Sequence, residues 1–530
     1  VRDRLVLVAC ILASSLTGMD GLMTTTALPA MAETFDVGLA VQQWIVAGFL
    51  LALGSLLLVG GALGDLYGRW RIFGLGAVAS GLAVTVCALA PNPALLLVGR
   101  LLQGMAAALL LPSVLAVLTR TYEGERRSKA IASWSAWSGL SVIAGPIVGG
   151  LLIDALSWRA IYWVQVPFAA LVVVLIYRAA PRQEERAVAT GRVDLGGALL
   201  AVLAIGGPVF FVIQGSNTGW TNPLVVAALV AGLAALVLFV WWERRAATPL
   251  LPLSLFRIRR FTLLNVVTFV LYGGLIACGT YTVLFLQDGL RFHPAVAGVV
   301  SAVPIIVLFA RSGRFGALAD RFGGTVFVAA GLIVAGLGML LLLRVDAVDD
   351  LFTLVLPSTL IHGLGLAMLV APLTAGVMSA VPGERAGIAS GINNAVARTG
   401  SMAAIAVIGV LISLQFSASL EHALEGKEAG QAVRQAVEQA RQHPFSTTPR
   451  GRLSPAERTE LEPILSTAAV DAFRSGMAVT AGLALTAGVI AFAGLRHRPR
   501  PRYDAAGTIG CPITGARTHL DAVAPPAHRE

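Results

Sequence analysis

Asp20 is the one carboxylate well inside an apolar run of this sequence, away from loops and run ends. An acid held among apolar side chains must face water, find a partner, or carry a proton for part of the time. If its surroundings alternate between dry and wet, or between near and far from a cation, it takes up and releases a proton. Asp20 is therefore the leading candidate for proton coupling or cation recognition. The plainer reading, a structural acid hydrogen-bonded to Thr24 or Thr25, stays open. Arg100 stands about one and a half turns into another apolar run. Its five planar donors are better met by helix-end carbonyls, Gln103 or a carboxylate inside the bundle than by snorkelling. Arg398, about halfway along a third run beside Asn393 and Asn394, has no acidic partner inside a neighbouring run. A structural brace and a substrate contact fit it equally.

These residues need elements that hold them in lipid. Of 530 residues, 56% are apolar and 13% are Asp, Glu, Lys or Arg, about half the charged share of a soluble domain. With a mean hydropathy of +0.79, the chain has far more apolar surface than one globular core hides. A span needs about 20 apolar residues. Windows of that size give fourteen: 5–28, 44–63, 72–90, 95–118, 130–153, 160–178, 194–214, 223–242, 262–285, 295–310, 324–343, 351–376, 387–412 and 472–494. The tenth is the weakest, being short, carrying Pro304 and running into Arg311 and Arg314. The first is longer than a signal-peptide core and is expected to be a retained span.

The net charge of +10 lies in short clusters between spans, the pattern of loops that fix a topology and not of a nucleic-acid stripe. With both ends inside, the inner segments hold Arg2 and Arg4, Arg69 and Arg71, Arg120, Arg126, Arg127 and Lys129, and Arg178, Arg182, Arg186 and Arg192. They continue with Arg244, Arg245, Arg257, Arg259, Arg260, Arg311, Arg314, Arg321, Arg385 and the tail after Arg496, while short outer loops have only Arg159, Arg291 and Arg344. Residues 413–471 form a longer outer segment with six basic and eight acidic side chains, in which Glu421, Glu425 and Glu428 suit a short polar helix. It is read as a tolerated insertion in preference to a surface cap. The Pro-rich tail 495–530 is expected to be disordered. Cys10, Cys87, Cys278 and Cys511 have no metal-ligand spacing and no disulfide pattern.

The stretch from Gly61 to Gly68, with Asp65, returns from Gly316 to Gly323, with Asp320, and five of the eight positions are identical. Both copies fall in a tight turn between spans, which implies a duplicated unit of six spans with two more inserted between the copies. The glycines allow close approach and a turn, Asp65 can accept hydrogen bonds from a helix start or an arginine, and Arg69 and Arg71 pin the loop inside. Contacts made in one arrangement of the halves and broken in the other would make a conformational latch. Gly145-Pro146 removes a donor and loosens its helix, while Gly149 and Gly150 admit a neighbouring backbone, so together they suit a bending seam.

Gly61, Asp65, Gly68, Arg69 and Arg71 resemble the signature loop of the major facilitator superfamily, and further segments resemble its fourteen-span drug:proton antiporter branch, the EmrB/QacA-like exporters. Those segments are Met19-Asp20 with Ala27-Leu28-Pro29, Gly99-Arg100 with Gln103-Gly104, Gly145-Pro146 with Gly149-Gly150, and Ser157-Trp158-Arg159 with Pro167. Gln165 stands where the family commonly has Asn. In the second half the likeness continues through Leu286-Gln287, Ala297-Gly298, Pro304, Gly363, Gly365, Pro372, Thr374 and Ala389-Ser390-Gly391.

The resemblance implies an all-α major facilitator fold: a six-helix bundle over 1–178, a linker with two additional helices over 179–260, a second six-helix bundle over 261–494, and a cytoplasmic tail over 495–530. It implies a proton-coupled antiporter in a bacterial cytoplasmic membrane, exporting small amphipathic organic compounds, working as a monomer among lipids, and using no cofactor, metal or nucleic acid. It gives Arg100 a part in proton transfer and makes the Gly145 to Gly150 segment an antiporter hinge. Aromatic faces favour flat lipophilic cations, so Trp44, Trp134, Trp137, Tyr162, Tyr272 and Tyr281, with Asn265, Asn393, Asn394 and Arg398, are expected in the substrate path. With Asp20 the only deep negative group, monovalent cationic, zwitterionic or neutral substrates are expected in preference to dications. A dedicated exporter of one metabolite, peptide, siderophore or lipid precursor shares the fold and is the alternative. A membrane enzyme lacks a His-rich or Glu-x-x-His constellation, and an ATP-driven pump lacks a phosphate-binding loop.

Overall fold

A computed structural model describes residues 2–181, 194–246, 249–425, 430–449 and 453–495. Cys511, Glu428, the linker arginines Arg182, Arg186 and Arg192, and the tail beyond Leu495 lie outside the described residues. Among the described residues the fold is all-α, with fourteen helices long and apolar enough to cross a membrane. The first half contributes α1 (Arg2–Phe35), α2 (Leu39–Tyr67), α3 (Arg69–Leu89), α4 (Pro93–Thr121), α5 (Gly124–Ala155) and α6 (Ala160–Ala179). After the inserted α7 (Leu195–Thr218) and α8 (Pro223–Arg245) come α9 (Arg259–Gly289), α10 (Pro294–Phe322), α11 (Gly324–Arg344), α12 (Leu351–Ser379) and α13 (Ala386–Leu424). A short α14 (Gln431–Arg441) precedes the last span, α15 (Pro455–Leu495).

Local chemistry starts several of these helices. Asn92 and Asn222 accept from Leu95 N (2.9 Å) and Leu224 N (3.0 Å), each followed by proline at the first helical position. Ser454 and Glu457 bond reciprocally at the start of α15, the Ser454 amide donating to the Glu457 carboxylate at 2.8 Å. The weak tenth window becomes the unbroken 29-residue α10. It looked short because Arg311, Arg314 and Arg321 lie on its exposed final turns, and Pro304 is used as a crossing point, where a Cβ on Gly363 of α12 would come within 2.7 Å of its Cα.

The duplication is visible in packing. In the first bundle α1 packs on α5 and α6, α4 on α2 and α3, and α3 on α6; in the second α9 packs on α13 and α15, α12 on α10 and α11, and α11 on α15. It is also visible in the backbone. Gly68 and Gly323 end the two signature copies with φ of 100° and 101°, a left-handed turn that a Cβ would disfavour. The bundles meet along two seams, α2 against α13 and α5 against α10, and α7 lies beside the first seam on α2 and α13.

Fourteen crossings bring Arg2 and Leu495 to one face, here the terminal face. At the opposite face the expected loop 413–471 is largely helical: α13 runs on to Leu424 and α15 begins at Pro455. Glu421 falls in the last turn of α13 with Glu425 just beyond it. Between them α14 and the irregular segment to Phe445 cover the second bundle, with Phe445 against Tyr281 and Phe285. Arg291 donates to Glu462 at 2.6 Å, and Arg441 to Glu421 at 2.9 Å. The carbonyl of Gln442 accepts the Leu39 amide at 2.9 Å, tying this cover to the first hairpin of the other bundle.

Candidate functional site

Asp20 and Arg100, 80 residues apart in sequence, meet at the centre of the first bundle. Arg100 Nη1 donates to Asp20 Oδ2 at 2.6 Å and to Gln103 Oε1 at 2.7 Å, while its Nε donates to the Ile45 carbonyl at 3.0 Å. The other Asp20 oxygen accepts from Gln103 Nε2 (3.0 Å) and Gln165 Nε2 (3.2 Å). The guanidinium lies over the Phe49 ring, 4.7 Å from its centroid. Both charged side chains are at least 98% enclosed. A buried charge pair persists when its remaining donors and lone pairs are satisfied, and four helices do this here: α1, α2, α4 and α6.

The sequence offers helix-end carbonyls, Gln103 or a carboxylate as partners of Arg100, and the structure supplies Asp20 and Gln103 together with the Ile45 carbonyl from within α2. Gln165 is noted only as a departure from the Asn of the family, yet its longer side chain places an amide on Asp20. Tyr162 stands at the edge of this cluster with its hydroxyl 3.4 Å from Thr24.

A cavity of about 930 Å³ lies between the bundles, lined by α2, α4 and α5 on one side and α12 and α13 on the other. It reaches the terminal face at Asp65, Arg69 and Asp194. Towards the opposite face it is closed. Gln43 Nε2 donates to the Ile405 carbonyl at 2.7 Å and to Tyr281 Oη at 3.0 Å, and Tyr281 also donates to Ile405. Gln287 donates to the Thr26 carbonyl at 3.0 Å. Asp154 at the end of α5 accepts the Ala295 amide of α10 at 3.0 Å, satisfying an open donor at a helix start in the other bundle.

The Gly145 to Gly150 segment is a double contact. Cβ atoms on Gly145 and Gly149 would stand 2.9 Å from the Met19 carbonyl and 3.1 Å from Met23 Cγ, so this side takes α1. On the other side a Cβ on Gly150 would stand 2.5 Å from the Pro294 carbonyl, and Gly298 of α10 presses on the Pro146 carbonyl. The closed half of the α5–α10 seam thus rests on residues without side-chain bulk.

In the signature loop Arg69 pairs with Asp65 at 2.7 Å, and Gly61, Asp65 and Arg69 line the cavity mouth while Arg71 is exposed. The second copy has Gly324 where the first has Arg69, and Asp320 makes no hydrogen bond or ion pair among the described residues.

Of the residues expected in the substrate path, Trp134, Asn394 and Arg398 line the cavity. Trp44 leans on Phe210 of α7, with 5.9 Å between ring centroids. Trp137 is exposed, and Tyr162 and Tyr281 are buried in the contacts above. Asn393 donates to Thr268 Oγ1 (2.7 Å) and to Asn265 Oδ1 (3.2 Å), a neutral cluster between α13 and α9. Tyr272 lies near Arg398. Gln43, absent from the expected list, is the residue that closes the α2–α13 seam. No local signal marks it, because its partner is a backbone carbonyl 362 positions away.

The Major Facilitator Superfamily profile matches residues 10–192 and 172–406. The multidrug resistance protein Stp of Mycobacterium tuberculosis (strain CDC 1551 / Oshkosh) is 36% identical over 413 residues, 76% of this chain and 74% of that protein. The methylenomycin A resistance protein of Bacillus subtilis (strain 168) is 31% identical over 77% of this chain and 87% of its own length. Among solved structures, a bacterial homologue of the human lysosomal transporter Spinster, inward-facing and unoccupied, shares the fold with a TM-score of 0.64 at 17% identity, covering 94% of this chain and 99% of that one.

Proposed function

Because the chain belongs to the major facilitator superfamily, we propose that it is a proton-coupled antiporter of the EmrB/QacA-like branch, exporting amphipathic organic compounds from a bacterial cytoplasm by alternating access. The terminal face is then the cytoplasmic one, in keeping with its basic loops, and the conformation described here is open inward. Substrate enters the cavity from the cytoplasm. The Gln43–Ile405, Gln287–Thr26 and Asp154–Ala295 contacts release as the bundles rock, and the Asp65–Arg69 loop closes the other end.

The observation that carries the proton half is the sealed Asp20–Arg100 pair, which lies outside the cavity lining. Asp20 accepts a proton only when Arg100, Gln103 and Gln165 let go of it, so protonation and the packing of α1 against α4 and α6 are one event. Movement of α1 passes to the seam through Met19 and Met23, which bear on Gly145 and Gly149. In this arrangement the site exchanges protons in one place and holds substrate in another.

Asp20→Asn tests the assignment, since Asn keeps shape and hydrogen bonding but exchanges no proton. Folded protein is expected in the membrane, with drug-induced proton release from everted vesicles abolished. Undiminished release per amount of protein would refute the role. The alternative, a dedicated exporter, draws support from relatives named for one compound, such as the probable actinorhodin transporter of Streptomyces coelicolor. A proteoliposome screen under an imposed pH gradient, with unrelated dyes and antibiotics beside cell metabolites, separates the two: several unrelated drugs move in the first case, one metabolite in the second.

A further inference from the structure

Among the described residues four charged side chains line the cavity, and three are already engaged. Asp65 is paired with Arg69 at 2.7 Å. Asp194 caps α7 through the Gly197 amide at 2.8 Å and accepts the Trp242 indole at 2.9 Å. Arg398 alone is uncommitted: it makes no hydrogen bond or ion pair among the described residues. The deep carboxylate Asp20 is enclosed with Arg100 in the other bundle. Ser390, Asn394 and Arg398 follow one another at four-residue spacing along the cavity face of α13, so the cation ends a polar stripe on a wall otherwise apolar.

The stem of Arg398 sits in the seam. A Cβ on Gly54 of α2 would stand 3.0 Å from its Cβ, so the residue touches both bundles. In the open cavity the side chain is already half-buried. When the bundles close on it, an unpaired charge is left in a drying space, which is strongly unfavourable unless an anion comes with it.

We propose that Arg398 is an anion-recognition site, and that the preferred substrates are flat amphipathic compounds bearing a carboxylate or a comparable anionic group, held by the guanidinium fork while their apolar body lies on α2, α4 and Trp134. The proposal rests on the exporter reading and sharpens it. Of the substrates expected from the sequence, it favours the zwitterionic and adds the anionic, because the one deep acid is spent on Arg100. A bound anion also removes the obstacle to closure, so the loaded carrier cycles faster than the empty one.

The test uses three fluorescent probes that differ in one group: 9-anthracenecarboxylate, its methyl ester, and 9-anthracenemethylammonium. Binding to the full chain in nanodiscs is read by anisotropy. The carboxylate is expected to bind about tenfold more tightly than the ester, roughly one charge-assisted pair. Arg398→Gln should bring the two to equal affinity with ester binding unchanged, Arg398→Lys should keep most of the preference, and Arg398→Glu should shift it to the ammonium. Equal affinity for acid and ester in the unmodified protein, a preference that survives Arg398→Gln, or no binding of any probe would overturn the site. The first measurement needs no variant, so misfolding of a variant does not protect the idea. Uptake of the ester into proteoliposomes under a pH gradient reports antiport separately: gradient-driven ester uptake without acid preference removes the anion site alone, and acid preference without gradient-driven uptake removes proton antiport alone.

Discussion

At the centre of the first bundle Asp20 and Arg100 are locked in a dry cluster with two glutamines, whereas the second bundle has Asn265, Thr268 and Asn393 in a neutral cluster and leaves Arg398 facing the cavity. The helices pair off in the same way in both, and the signature turns agree within a degree in φ. The scaffold therefore fixes which helices touch, through small residues at crossings, and leaves the charge free to differ. In this protein one bundle keeps its charge for itself and the other leaves it on the cavity wall.

Stability gives the sharpest way to break that contrast. Arg100→Leu strands Asp20 as an uncompensated buried charge and is expected to cost about 3–5 kcal/mol, seen as a large drop in thermal unfolding temperature in detergent. Arg398→Leu removes no bond and is expected to cost about 1 kcal/mol or less. Equal losses would mean that Arg398 is also a structural brace.

The signature loops offer a second comparison, smaller in effect. Asp65→Ala removes the partner of Arg69 and is expected to slow turnover roughly fivefold, about 1 kcal/mol in the barrier, with equilibrium substrate binding little changed. Asp320→Ala, at the copy without an arginine, should change turnover less than about twofold. Transport rates and binding measured separately decide it; a fall confined to affinity in Asp65→Ala would end the latch reading. In transport the smallest effect is expected for Asn393→Ala, which loses two hydrogen bonds for about 1–2 kcal/mol of stability but leaves drug-induced proton release intact.

The span count, the repeat and the turns were legible because they are written locally, in runs of apolar residues and in glycines at fixed offsets. Asp20 and Arg100 were legible as candidates because charge is rare in such runs, and an enclosed acid was already an expected partner for the arginine. What could not be read was which helix face meets which. Spans that are apolar all round carry little amphipathic signal, so nothing before folding distinguishes Gln43, which crosses to Ile405, from Gln42 beside it. The ends of α13 and α15 were missed for the opposite reason: they continue as helix past the apolar core, where hydropathy no longer reports them.

The tie between the Leu39 amide and the Gln442 carbonyl lies on the face assigned here to the exterior. It joins the cover of one bundle to the first hairpin of the other, and in the proposed cycle it parts as that end opens. On the proposed orientation and cycle, the junction is an epitope that exists in only one of the two states and is reachable from the medium. An antibody fragment gripping the turn before Leu39 together with the stretch from Gln442 to Phe445 is then expected to arrest the transporter from outside, without crossing the membrane and without competing for the cavity.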